Sequence, residues 1–281
     1  MCEIFSIRGN KKGIEFELGA FSSARASNSD GAGYVIFEKD RYNRFDVVHF
    51  ETFGPKPEPS YRYSEHYSYM GEDSVEDSAL QFLEDFDQTS PVARAYVRNK
   101  KKKAKKEKKA SLPVVHSYPG HSYYTSEVDT IPGIFYSAQK MLKPNQLMVA
   151  HFRFATSGGV THENTHPIIS GDYLVIHNGV FGYETLPPEM SDTRLFANVL
   201  HKTSKREKAD TPKKEQRLIA RLLKNAGGYY SVFVYSWKTK TLYYFKDTTA
   251  SFSIDQSGLL GATRDARFPI VTLPPKNGIV R

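Results

Sequence analysis

The stretch Leu147-Met148-Val149-Ala150-His151-Phe152-Arg153-Phe154-Ala155-Thr156 reads as one strong β-strand that ends in polar chemistry. Alternation puts His151, Arg153 and Ala155 on one face, so a charged arginine stands among apolar neighbours. An arginine in that setting usually pairs with a carboxylate, from the protein or from a ligand. Next along the chain, residues 173–178 form an apolar strand that runs into His177-Asn178-Gly179. Its end offers an amide side chain beside a glycine whose N–H can approach a ligand closely, a pair suited to an oxyanion hole. A helix over 192–202 follows, capped by Ser191, and Ser191-Asp192-Thr193 sets a carboxylate where it can grip an ammonium group.

The same reading extends to both ends. Strands are expected over 2–8, 33–38 and 45–52, with Ser-Asn-Ser-Asp-Gly at 27–31 as loop. Residues 133–142 read as helix. A further helix over 213–225 starts after Pro212 and stops at Gly227-Gly228. Residues 229–237 and 241–247 make a hairpin about Lys238-Thr239-Lys240, and 258–263 reads as a last strand. Strands at both ends with helices between them predict an α+β layered domain, and no internal repeat is visible.

Between these parts the composition changes. Pro55, Pro57 and Pro59 break the strand pattern, and residues 54–132 read as an insertion within a single domain of residues 1–281, partly helical or disordered. Glu72 to Asp87 holds seven acidic residues and no basic one, with Val75, Ala79, Leu80, Phe82, Leu83 and Phe86 on one helical face. Arg98 to Lys109 carries a net charge of +8, equal to that of the whole chain, so the basicity is local. A solvated hairpin with acidic and basic arms accounts for both blocks. Contact of Arg98–Lys109 with nucleic acid or an acidic partner is the functional alternative, although no aromatic residue interrupts the tract.

The 281 residues suffice for a sizeable core, and 39% hydrophobic with 25% charged residues suits a soluble globular protein. No run approaches the roughly 18 apolar residues of a membrane span. The opening CEIFSI is too short for a signal peptide and meets Arg8 at once, which points to the cytoplasm. The single cysteine excludes an internal disulfide and a multi-thiolate metal site, and it stands at position 2, behind Met1. Taken alone, Cys2 is a small residue opening a strand, Arg153 half of a structural ion pair, Asn178-Gly179 a turn and Asp192 a helix N-terminal carboxylate. His162-Glu163-Asn164-Thr165-His166 is a literal H-E-x-x-H, the zinc-protease pattern, but Pro167 disfavours the α conformation that His166 would need.

Taken together, five segments occur in order: Met1-Cys2-Glu3-Ile4, Arg153-Phe154-Ala155-Thr156, Glu163-Asn164-Thr165-His166-Pro167, His177-Asn178-Gly179 and Ser191-Asp192-Thr193. This set resembles the class II glutamine amidotransferases, a branch of the N-terminal-nucleophile hydrolases. Glutamate after the cysteine is closest to their small, stand-alone members. The resemblance covers roughly residues 1–50 and 133–265 and leaves the insertion unexplained. It implies an αββα sandwich of two antiparallel sheets and a chemistry that needs no cofactor and no metal.

The implied roles follow residue by residue. Removal of Met1 frees the α-amine of Cys2 to act as base for its own thiol, which attacks the amide of glutamine. Asn178 and Gly179 hold the oxyanion. Arg153 takes the α-carboxylate, Asp192 the α-ammonium, and Thr156 shapes the pocket. Many members have tryptophan and histidine where this chain has Phe154 and Ser157. No synthetase, phosphoribosyltransferase or sugar-isomerase domain follows before Arg281. The expectation is that ammonia passes to a separate synthetase, or that the substrate is another γ-glutamyl amide. The competing expectation is a catalytically inactive module of the same fold that serves binding.

Overall fold

The structure is a computed structural model that describes residues 2–54, 121–122, 130–254, 257–263 and 278–279. All of these belong to one compact unit. The acidic helix expected at Glu72–Asp87 and the tract Arg98–Lys109 lie outside the described residues, as does most of the expected insertion.

The first sheet has the order β10-β11-β1-β5-β2-β3-β4. Its strands are β1 (Glu3–Arg8), β2 (Ala32–Lys39), β3 (Phe45–Phe53), β4 (His121–Ser122), β5 (Gln146–Phe152), β10 (Ser253–Ile254) and β11 (Leu260–Ala262). The second has the order β12-β9-β8-β7-β6, from β6 (Ile168–Ser170), β7 (Tyr173–Val180), β8 (Tyr229–Ser236), β9 (Thr241–Lys246) and β12 (Gly278–Ile279). Every pairing is antiparallel except β3 with β4, which is parallel.

Four layers follow from which faces are apolar. Ile4, Val35 and Val149 of the first sheet pack against Leu174, Ile176, Phe233 and Leu242 of the second, forming the core between the sheets. The other face of the first sheet presents Phe5, Ile7, Met148 and Phe152 to α1 (Leu18–Ser27) and α2 (Thr130–Lys140), with Phe21 edge-on to Phe5 and Phe135 tilted against Phe152. The outer face of the second sheet is covered by α3 (Asp192–Glu207) and α4 (Pro212–Ala226). Strands buried on both faces explain why the apolar runs at 147–152 and 173–176 show no clean alternation. The fold is an α+β sandwich of αββα type.

Several boundaries differ from the sequence reading. β5 stops at Phe152 and not at Thr156, so Arg153, Phe154, Ala155 and Thr156 leave the sheet as irregular chain. β7 continues through Asn178 and Gly179 to Val180, paired with β8 throughout. The short strand β12 follows the one expected to be last. Helix α1 arises where only strand and loop are expected, because LGAFSSARAS carries three serines and a weak apolar face; burial of Phe21 and Ala24 under the sheet selects it. Among the described residues no helix is long and apolar enough to cross a membrane.

Glu215 fixes the outer layer. Although it lies in the lysine-rich start of α4, its side chain is fully buried. Its Oε1 accepts from Tyr173 at 2.9 Å and Ser236 at 2.8 Å, and its Oε2 from Tyr243 at 2.8 Å and Thr239 at 2.5 Å. Burial, with the charge of Glu215 adding, pushes both tyrosine hydroxyls above their ordinary range, so they stay neutral donors. Glu215→Leu would remove the shared acceptor of four hydroxyls, three of them on buried residues, leaving Tyr173 only Ser204 and Tyr243 only the Pro212 carbonyl. A loss of about 3 kcal/mol is expected. Urea unfolding reads it as a lowered midpoint at unchanged slope. A loss below about 1 kcal/mol would mean that the hydroxyls find other partners.

Candidate active site

Cys2 sits immediately before β1, half-buried at the end of an internal strand. Register fixes its surroundings: Glu3 pairs with Phe152 and Ile4 with His151, so the chain after Phe152 passes directly over the thiol. The Phe154 N–H donates to Cys2 Sγ at 3.3 Å, and the thiol faces the Phe154 carbonyl at 3.3 Å. Burial pushes the Cys2 thiol up, while the Phe154 N–H, the amino terminus and Arg153 pull it back.

Arg153 is 2% exposed although it lies outside the strand. Its Nη1 donates to the Gly159 carbonyl and its Nη2 to the Ser157 carbonyl, each at 3.1 Å. The carboxylate partner expected from the sequence is therefore replaced in direct contact by two carbonyls of the following loop. Asp30 and Asp192 act on the guanidinium only through space. Two of its five N–H groups are used in these bonds.

Asp192 opens α3, where a carboxylate also suits the positive end of the helix. Its Oδ2 accepts from the Phe181 N–H at 2.8 Å, and its Oδ1 from the Thr193 N–H at 2.7 Å. Ser157 Oγ accepts from the Asp192 N–H at 3.2 Å and lies 3.4 Å from Oδ1, which ties the loop after Arg153 to the helix start. Asn164, fully buried, completes the tie: its amide donates to the Gly159 and Glu189 carbonyls and accepts from the Ser191 N–H.

Asn178 faces the interior between the sheets, with Leu174 and Ile176 on the same side of β7, and its Oδ1 is buried with no partner among the described residues. Gly179 has φ of 143°, and an added Cβ would collide with the Tyr229 carbonyl and lie 2.9 Å from His177 Nε2. Only glycine fits there, so the backbone N–H approaches the site end without a side chain in the way. Thr156 is exposed.

Cys2, Arg153 and Asp192 thus come within electrostatic reach of one another, at the end of the sheets that Asn178 and Gly179 also border. H-E-x-x-H does not form the helix of a zinc protease. His162–Asn164 is a single 3₁₀ turn, and Thr165 is extended with φ of −88° and ψ of 131°. The histidines are instead split, with His166 buried against His151 at 4.1 Å between ring centres. Sequence reasoning missed Asp30, whose only signal was its place before Gly31 in a polar loop. Its carboxylate accepts from the Ala155 N–H at 2.7 Å. Lys246 was also missed; it is 1% exposed and pairs in register with Ser231, which pairs with Asn178.

No family model matches the chain. Over 102 residues, 32% of its length, it is 29% identical to the glutamine–fructose-6-phosphate aminotransferase of Zymomonas mobilis. Over 99 residues, 31% of its length, it is 34% identical to the protein of that name from Buchnera aphidicola. The matched stretches take up 16% and 15% of those relatives' own length, so the chain accounts for about a sixth of each. Among solved structures, a glutamine phosphoribosylpyrophosphate amidotransferase from B. subtilis, complexed with ADP and GMP, covers 93% of this chain and 42% of its own. The identity is 13% and the TM-score 0.43. An allosteric regulatory enzyme of purine biosynthesis covers 93% and 41%, with 13% identity and a TM-score of 0.41. Similarity to glutamine amidotransferases is thus also found by comparison with curated proteins, over about a third of the chain.

Proposed function

We propose that this chain hydrolyses the side-chain amide of glutamine, with Cys2 as an N-terminal nucleophile after loss of Met1. The observation that carries the reading is the setting of the only cysteine: Sγ at 3.3 Å from the Phe154 N–H, with Arg153 and Asp192 within electrostatic reach. The α-amine of Cys2, with an ordinary pKa of about 8, takes the thiol proton. Sulfur attacks the amide carbon, and the oxygen takes the charge against the Asn178 amide and the Gly179 N–H. The C–N bond breaks, and the nitrogen leaves as ammonia with the proton held by the amine. Water then attacks the thioester, releases glutamate and restores the thiol. Arg153 holds the α-carboxylate through its remaining N–H groups, Asp192 holds the α-ammonium, and Thr156 borders the entrance. The ammonia goes to a separate acceptor enzyme, or the substrate is a related γ-glutamyl amide.

A second reading, an inactive binding module, is favoured by one observation. The groups assigned to the substrate are already engaged, Arg153 by two carbonyls and Asp192 by two backbone N–H groups. Intact mass after incubation with 6-diazo-5-oxo-norleucine separates the two. Loss of Met1 with one adduct on Cys2 is the expected result. A retained methionine and no adduct would sink the enzymatic reading in favour of the module.

A further inference from the structure

The hydrogen bond that reaches Cys2 Sγ depends on how one peptide is held, and the residues that hold it come from a loop outside the five motifs. Phe154 supplies the N–H. Its two neighbours are pinned: the Arg153 N–H donates to the Gly31 carbonyl at 2.8 Å, and the Arg153 carbonyl accepts from the Asp30 N–H at 3.0 Å. The Ala155 N–H donates to Asp30 Oδ2 at 2.7 Å, the shortest of the three. Asp30 therefore grips the chain on both sides of Phe154, through its backbone on one side and its carboxylate on the other.

Asp30 is itself held. Ser29 Oγ lies 3.4 Å from its Oδ1, and Arg25, 4% exposed in the last turn of α1, donates to the Ser29 carbonyl at 2.8 Å. The Arg25 guanidinium and that of Arg153 both feel the Asp30 carboxylate, which gives an alternation of positive, negative and positive groups from α1 to the site. The carboxylate is thereby held in place between two guanidinium groups.

We propose that Asp30 is the positioning residue for the thiolate of Cys2: its carboxylate fixes the Ala155 N–H, and with it the orientation of the Phe154 N–H that stabilises the sulfur anion. A hydrogen bond given to the charged form of a thiol favours that form, so loosening the peptide raises the titration midpoint of Cys2. Removing a negative charge near the sulfur would act in the opposite direction. The two effects therefore separate by sign.

The inference rests on Cys2 being the reactive thiol, but its test does not use glutamine. The rate of Cys2 alkylation by iodoacetamide is followed against pH in the full chain, which has no second cysteine to interfere. Asp30→Asn keeps an acceptor oxygen where Ala155 needs it and removes the charge. Asp30→Glu keeps the charge and displaces the acceptor by one methylene. Asp30→Glu is expected to raise the midpoint by about one pH unit, the loss of much of one hydrogen bond to an anion. Asp30→Asn should stay within a few tenths of the parent, roughly the scale of a retained contact. A lowered midpoint in Asp30→Asn with none in Asp30→Glu would assign Asp30 an electrostatic role and overturn the proposal. Equal midpoints in all three chains, whatever happens to the melting temperature, would leave it a purely structural residue and overturn the proposal too. If the midpoint shifts as expected but no chain releases glutamate, the positioning role stands and the glutaminase reading fails.

Discussion

Cys2→Ala is expected to lower glutamate release from glutamine by about 10,000-fold or more, with the melting temperature little changed. The sulfur is the only atom that can form the thioester, and no second cysteine can replace it. Under the proposed mechanism the groups assigned to the oxyanion and the substrate, Asn178, Gly179, Arg153 and Asp192, remain in the variant, and only the nucleophile is lost. Cys2→Ser sharpens the test. It preserves shape and the Phe154 contact but replaces the thiol by a hydroxyl that the neighbouring amine cannot ionise appreciably near neutral pH. A large loss in both variants is expected. Activity above a tenth of the parent in Cys2→Ala would show that the thiol is a bystander and that another group does the chemistry.

Acid is expected to unfold this domain well above the pH at which its carboxylates titrate. His151, His166 and His177 are all buried, and neither ring nitrogen of His151 or His166 has a partner among the described residues. Burial pushes His151 down to about 3, with His177 and Arg153 adding repulsion and the His177 backbone offsetting only part of it. His166 is held well below its ordinary range by burial and by His151, His177 and Arg153. Burial also lowers His177, which faces Thr193 through Nδ1 at 2.9 Å and is pulled back by Asp192 and Asp247.

The sign follows from linkage. The folded rings stay neutral, whereas the unfolded chain takes up protons below about pH 6.5. Stability is complete above that value and falls as pH drops, until the folded rings titrate. By pH 5 His151 alone costs about 2 kcal/mol, against total stabilities of about 5–15 kcal/mol for typical domains. His166 and His177 act in the same direction. Urea midpoints measured between pH 7.5 and 4.5 should fall steeply below pH 6.5, and His151→Leu should flatten the slope by close to one proton. A curve flat down to pH 5 would mean that the rings are reached by solvent or paired in a way their surroundings do not suggest.

The sequence was legible where one physical signal dominated. Strands β1, β2, β3, β5, β7, β8, β9 and β11 and helices α2, α3 and α4 were legible from apolar runs and their closing Gly, Pro or capping Ser, whereas the short β4, β6, β10 and β12 were not. Ser191 does cap α3 through Arg194. Helix α1 was not legible, since its serines and Gly19 give no apolar stripe and the core above it decides the outcome. The end of β5 was misplaced because Arg153 and Ala155 continue the alternation of a strand, while the hydrogen bonds that bend the chain away come from Asp30 and Gly31, over a hundred residues earlier. The site shows the same division. Residue types at Cys2, Arg153, Asn178 and Asp192 pointed to a chemistry. The supporting contacts of Asp30, Ser157 and Asn164 join segments far apart in the chain, and Glu215 looked like a surface residue among lysines.

The neighbours of β1 set a clock for biosynthesis. The strand that carries Cys2 is clamped between β5 and β11, whose residues are made about 140 and 250 positions later. Until β5 leaves the ribosome, β1 lacks the neighbour that flanks Cys2 in the folded sheet. At about 5–20 residues per second this lasts roughly 7–28 s, and β11 extends it further. An aminopeptidase that acts on Met1 has that interval, after which the backbone behind Cys2 is locked, with the Ile4 N–H bonded to Thr263 Oγ1 at 2.9 Å. Under the proposed mechanism, maturation of the nucleophile is thus a race between trimming and translation, and chains refolded from the full-length precursor should mature less completely than chains trimmed during synthesis.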